Sequence, residues 1–204
     1  MTIETFLNDP VNSYLIYHPK SRTDVLIAAP HHAPLWVSSL PCETHPTADE
    51  NSGWIAYHLA NGLDCACLIA GNYFLDVNKH MTSDYFKKIE AIAPKILIEI
   101  HGHGSGSARF NIEISSGSEQ KSTQSQLFAH QLSSSFASHH QLRNYTISGD
   151  FNQIHYKATR SLTINTNQWT AFHIELPYSL RKDENKYLLF CECVKTIVVE
   201  MLRY

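Results

Sequence analysis

Apolar residues in this chain come in short blocks set off by polar turns. Runs of this kind cover Val25–Ala29, Cys65–Ala70, Ile96–Ile100, Phe110–Ile114, Tyr145–Ile147, Leu162–Ile164 and Ala171–Leu176. Several are nearly continuous rather than alternating, the pattern of strands covered on both faces. Between them the period changes to that of a helix. Trp54, Ile55, His58 and Leu59 mark a helix over Glu50–Asn61, and Phe86, Ile89 and Ala93 one over Ser83–Ala93. Leu127, Leu132 and Phe136 mark one over Gln124–Ser138. The clearest stripe, Tyr187, Phe190, Cys191, Val194, Ile197, Val198 and Met201, predicts a helix over Glu184–Arg203. Strands alternating with helices predict an α/β fold of three layers, with a mixed, largely parallel sheet and helices on both faces. The polar stretch 115–126, SSGSEQKSTQSQ, reads as a loop.

Length and charge narrow the picture. The chain has 204 residues, enough for one core, and is read as a single domain over 1–204. A net charge of −3 without a Lys/Arg run argues against nucleic acid or an anionic membrane as partner. No run of 18 apolar residues is present, so no membrane span is expected. The first 18 residues lack a basic segment followed by an apolar one, so no signal peptide is expected. Five cysteines do not form a disulfide framework, and a reducing cytoplasm fits them. The CAC (65–67) and CEC (191–193) pairs lack zinc-knuckle spacing and read as core thiols. The oligomeric state is left open.

Thirteen histidines are the unusual feature. In a sheet of this class ligands bind beyond the carboxyl ends of the strands, and polar residues gather at those ends. His31 and His32 follow Val25–Ala29. Asp76, Asn78, Lys79 and His80 follow Cys65–Ala70, while His101 and His103 close Ile96–Ile100 in the sequence HGHG. Glu175 lies inside the apolar run HIELP, and Asp49 and Glu50 stand at the predicted start of a helix. Taken alone, a strand-end histidine is more often a packing residue than a ligand, and a helix-start acid can simply satisfy the helix dipole. Together, two histidines and an acid for a metal, with a further acid for proton transfer, are what zinc-dependent hydrolysis requires. Glu175 carries extra weight because a buried, unpaired carboxylate is costly. Glu99 alternates with His101 on one strand face and either supports the site or pairs with a neighbouring strand. The glycines beside His101 and His103 permit close approach of backbone and substrate.

The motifs PHHAP, ADENSGWIAYHLA, LDVNKH, EIHGHG and FHIELPYSLR occur in that order. Over residues 24–182 they resemble the N-formylglutamate amidohydrolase family and its relatives, the poly-γ-glutamate hydrolases and zinc carboxypeptidase-like amidases. The resemblance implies a zinc carboxypeptidase-like fold and a zinc ion. It also implies hydrolysis of an amide bond in an N-acyl amino acid such as N-formylglutamate, or in a γ-glutamyl compound, a small-molecule substrate bearing a carboxylate. By position it makes His31, Glu50 and His101 the metal ligands and Glu175 the general base. Asn78 and Lys79 fall on the pair that holds the substrate carboxylate. Lys79 stands where that family usually has arginine, which replaces a two-pronged contact by a point charge. Arg109, Arg181 and His103 are further candidates for substrate contact, and His32, Asp49, Asp76 and Glu99 for support behind the ligands. Two other readings stay open. One is a metal-binding, non-catalytic relative that acts as a binding protein. The other takes HGH as the His-x-His of barrel amidohydrolases, a fold that typically needs about 250 residues.

Overall fold

The structure is a computed structural model that describes residues 2–104 and 106–203. Its strands are β1 (Tyr14–His18), β2 (Arg22–Ala33), β3 (Asp49–Glu50), β4 (Cys65–Gly71), β5 (Ile96–His103), β6 (Ile112–Ser115), β7 (Ile147–Ser148) and β8 (Thr170–Pro177). The helices are α1 (Ile3–Leu7), α2 (Ser52–Leu63), α3 (Asp84–Ile92), α4 (Ser122–Ala137), α5 (Tyr178–Arg181) and α6 (Glu184–Met201). The strands form one sheet in the order β1-β4-β2-β5-β8-β6-β7, with β3 paired to the end of β2. The four central strands, β4, β2, β5 and β8, run parallel, and β1 and β6 flank them antiparallel. The expected mixed, largely parallel three-layer fold is therefore the one observed.

Alternation along the central strands builds the two inner layers. Val25, Ile27 and Ala29 point to one face, where they join Ile55 and Leu59 of α2, Phe128 and Leu132 of α4, and Phe190 and Val194 of α6. Leu26 and Ala28 point to the other, with Tyr85 and Ile89 of α3 and, from the chain before β8, Ile164 and Trp169. Burying each such aliphatic or aromatic side chain contributes about 1.5–3 kcal/mol. The four cysteines of CAC and CEC are free and buried in the first of these layers. Burial pushes the Cys65 thiol up to about 12. No helix among the described residues is long and apolar enough to cross a membrane.

Three expectations need correction. Leu162–Ile164 is not a strand. Leu162 N–H is drawn to the carbonyl of Asn78, Asn165 N–H closes a turn on Ser161, and Ile164 plugs the core from that turn. The stretch 115–126 is not one loop: a 3-10 turn spans Glu119–Lys121, and α4 starts at Ser122. Ser122 and Ser125 of its polar first turn are buried, with Ser122 Oγ accepting from Phe151 N–H and Ser125 Oγ donating to the Gly149 carbonyl. Finally, α2 begins at Ser52, not at Glu50. Asp49 and Glu50 form β3 beside His32 and Ala33, and the turn into the helix is made by Asn51 with φ 68°.

Candidate functional site

The site lies at the carboxyl ends of the parallel strands, where the topology brings β2, β3, β5 and β8 together. Adjacent residues in a strand face opposite sides of the sheet, and this separates the two histidines of PHHAP. The pairing of β2 with β4 shifts register between Ala29 and His32, so the extra residue of a bulge falls at Pro30–His31. His31 then faces the cleft. His32 faces α1 and α2: its Nε2–H donates to the Leu7 carbonyl at 3.1 Å, and its Nδ1 accepts from Gly53 N–H at 3.0 Å. It is a packing residue whose tautomer is set on both sides.

The same alternation separates Asp49 from Glu50. Asp49 is buried and its Oδ2 receives His101 Nδ1–H at 3.0 Å and faces His31 Nδ1 at 3.4 Å. Glu50 points away, and its carboxylate accepts from Trp36 N–H at 2.7 Å. The acid that joins the two histidines is thus Asp49, and the assignment of Glu50 to this place is corrected.

Carboxylates also stand behind both rings. His31 Nε2 pairs with Asp76 Oδ1 at 3.0 Å, and Lys79 Nζ holds the other oxygen of Asp76 at 2.6 Å. His101 Nε2 pairs with Glu99 Oε2 at 3.3 Å. Glu99 itself is fully buried and also accepts from Tyr85 O–H at 2.9 Å and from Asn78 Nδ2–H at 3.3 Å. Burial opposes charge on these rings, but Asp49 and Glu99 outweigh it for His101 and raise it to about 10. His31 is raised in the same way by Asp49 and Asp76. Burial likewise disfavours the charge on Asp49, yet the bonds from His101 and His31 hold its carboxyl far below the usual range.

Beside this trio lie His173 and Glu175 of β8, on one strand face. His173 stacks on His101 with centroids 4.0 Å apart, and its Nε2 is 3.5 Å from Glu175 Oε1. Burial first, then the charge of Asp49, pushes the Glu175 carboxyl up to about 8. Its Oε2, Asn78 Oδ1 and His173 Nδ1 are buried polar atoms with no hydrogen-bond partner. His31, Asp49 and His101 offer ligand atoms that all lie within 4.8 Å of one another, as do His101, His173 and Glu175. The first set, one carboxylate and two imidazoles each backed by a further carboxylate, is the donor set that suits a divalent ion such as zinc.

A cleft of about 510 Å³ opens above these residues. Asn78 and Lys79 line it. Arg109 and Arg181 do not. Arg109 is exposed and donates to the Gln153 carbonyl at 3.1 Å. Arg181 is buried behind Gly102 and donates to the carbonyls of Leu176, Glu50 and His103. A Cβ on Gly102 would sit 2.4 Å from the Arg181 guanidinium carbon, so this glycine makes room for an arginine rather than for substrate. His103 lines the cleft and its Nε2–H donates to the Asn111 carbonyl at 2.9 Å. Sequence reasoning missed His45, His173, Tyr156, Lys157 and Arg160, which also line the cleft. His173 was within reach, since it shares a strand face with Glu175, but the cleft residues of irregular segments leave no periodic signal.

No family model matches the chain. A search of curated proteins also finds no match. Solved structures do match. A bacteriophage poly-γ-glutamate hydrolase superposes with a TM-score of 0.62 at 10% identity, covering 98% of this chain and 94% of its own. The catalytic domain of CwlV, an N-acetylmuramoyl-L-alanine amidase from Bacillus (Paenibacillus) polymyxa var. colistinus, gives 0.57 at 16% identity, with 88% and 98% covered. A zinc-free apo form of YNDL gives 0.55 at 15% identity, with 96% and 93% covered. At these identities the likeness is one of fold alone: the chain shares with these structures a central mixed sheet flanked by helices, the three-layer α/β architecture expected from its sequence.

Proposed function

We propose that this protein is a zinc-dependent amidohydrolase whose metal ligands are His31, Asp49 and His101 and whose general base is Glu175. The observation that carries the reading is the convergence of those three donors beside a buried carboxylate at the floor of an open cleft. The match to a hydrolase, to an amidase and to a protein with a zinc-free form supports it. When bound, the ion supplies Lewis acidity at the cleft floor. Asp76 and Glu99 hold the two imidazoles in orientation through their far nitrogens. Glu175 takes a proton from the attacking water and delivers it to the leaving amine nitrogen. A carboxyl raised to about 8 is poised for this exchange near neutrality, and a neighbouring cation lowers it further toward that range. Asn78 and Lys79 receive a substrate carboxylate on the cleft wall. The substrate is then an amide such as N-formylglutamate or a γ-glutamyl compound.

Two measurements on one preparation test this: elemental analysis for zinc, and hydrolysis of N-formyl-L-glutamate and of a γ-glutamyl dipeptide. One zinc per chain with turnover is expected. A protein that stays below a tenth of an equivalent after zinc addition refutes the metal centre. Full zinc without turnover of any N-acyl or γ-glutamyl amide favours the non-catalytic binding protein instead.

A further inference from the structure

The segment 155–161 crosses the mouth of the cleft, and it is fastened along its length. His155 and Tyr156 N–H both donate to Glu113 Oε2 at 2.8 Å. The Lys157 carbonyl accepts from Ser115 Oγ at 2.6 Å. Ala158 holds φ 52°, in the left-handed region, and Ser161 N–H closes back on its carbonyl at 3.1 Å. Leu162 N–H then ties the segment to Asn78, at 2.8 Å. An alanine kept at positive φ costs free energy that the surrounding bonds must offset, so this strap is built, not loose. It presents Tyr156, Lys157 and Arg160 to the cleft.

The charges of the cleft are divided. Among the described residues, the acids that line it are Asp49 and Glu175, both buried in the histidine cluster at its floor. The rim carries Lys79, Lys157 and Arg160. Lys79 already has Asp76 as its counter-charge at 2.6 Å. Lys157 Nζ instead lies over the Phe151 ring, 4.7 Å from its centroid. Neither it nor the exposed Arg160 has a carboxylate within ion-pair distance among the described residues.

We propose that Lys157 and Arg160, set by the strap, form a second anion subsite that recognises a negatively charged group of the substrate remote from the bond broken at the cleft floor. This rests on the amidohydrolase reading for the bond broken, but not for the binding itself. The subsite selects amides with an acidic group on the side of the strap over isosteric neutral ones, through a charge-assisted pair on a pre-set backbone.

The test compares two probes that differ by one carboxylate, γ-L-glutamyl-L-glutamate and γ-L-glutamyl-L-glutamine. Calorimetric titration of the purified protein gives their Kd values, and kcat/KM replaces Kd for a probe that is hydrolysed. Wild type is expected to favour the glutamate probe at least tenfold. Arg160→Met and Lys157→Met are expected to cut that preference below threefold in combination, with the affinity for the glutamine probe unchanged. Arg160→Lys should keep most of the preference. A wild type that does not discriminate, or a double variant that still does, overturns the proposal. Discrimination without turnover of either probe leaves the subsite standing and counts only against γ-glutamyl amides as the substrates cleaved.

Discussion

Glu113 stands directly opposite Glu175 in the antiparallel pair of β6 and β8, and the two buried carboxylates live in opposite surroundings. Glu113 Oε1 accepts from the N–H groups of Arg109 and Phe110, and Oε2 from those of His155 and Tyr156. Glu175 keeps one oxygen with no partner and has Asp49 as an electrostatic neighbour. One is a fully satisfied structural acid and the other is held in a state that favours its proton.

The first prediction follows from that contrast. Glu175→Gln should retain zinc and lose about 10²–10⁴-fold in rate, the share of a general base. It should also flatten the stability profile of the metal-free protein. The folded pKa of Glu175 is about 8, above the ordinary 4.5, so the folded state binds the proton more tightly. That contribution is fully present below pH 4.5 and is lost as pH rises through 8. Urea midpoints of wild type and variant, measured across this window without metal, should therefore diverge in the variant's favour as pH rises. Parallel curves would remove the case for Glu175 as a strained base.

The ligand assignment makes a second prediction through the neighbours Asp49 and Glu50. Asp49→Asn and His101→Ala should each lower zinc affinity by tenfold or more, because each removes a donor from the converging trio. Glu50→Gln should leave it within twofold, since that carboxylate is spent on Trp36 N–H. Affinity should also rise with pH: His101, raised to about 10, and His31 must give up protons to bind the ion. Competition titration with a chelating dye at several pH values reads all of this. A strong loss in Glu50→Gln would reverse the order of these two acids.

How much of this was visible in the sequence depends on how local the cause was. The four parallel strands and the long α6 were legible because continuous apolar blocks and a clean helical stripe report burial directly. The edge strand β1 was missed because YLIYH lies next to a polar stretch and is only partly buried. Asp49 and Glu50 were confused because the motif fixes the neighbourhood of an acid and not its facing. The facing comes from β3, a two-residue strand that exists only because β2 extends to Ala33 beside it. Arg181 was read as an anion holder from its place after Glu175, yet α5 folds it behind β5, where it serves three carbonyls. The strap residues were invisible for a related reason: Glu113, 42 positions from His155, decides where they sit.

His32 predicts an acid-sensitive fold. Burial pulls its pKa down to about 4 while its two nitrogens serve Gly53 and Leu7 as the neutral ring. The unfolded chain takes up the proton near 6.5, so in the window from 6.5 to 4 it binds more protons than the folded state. Stability should fall by up to about 3 kcal/mol as pH drops through that window. His32→Gln, which offers a donor and an acceptor without titrating, should be less stable at pH 7 but nearly flat over the same range. Denaturation midpoints that fall equally in both proteins would assign the acid sensitivity to other groups.

Glu113 gives the last prediction, and it concerns motion rather than chemistry. Glutamine in its place has one acceptor oxygen, so it can serve the donors at Arg109 and Phe110 or those at His155 and Tyr156, but not both. Its amide N–H₂ would face two N–H groups with nothing to offer them. Leaving such donors unpaired costs about 1–3 kcal/mol each where they are buried, and less where water reaches them. Glu113→Gln should therefore lower Tm by several degrees and free one end of the strap. Trypsin reports the second effect, because Lys157 and Arg160 lie on that segment and cleavage needs it to open. Native-state digestion should cut after these two residues at least tenfold faster in the variant than in wild type, while cleavage elsewhere follows only the general loss of stability. Equal rates at the two sites, after correction for that loss, would mean that Ser115 and Asn78 alone hold the strap.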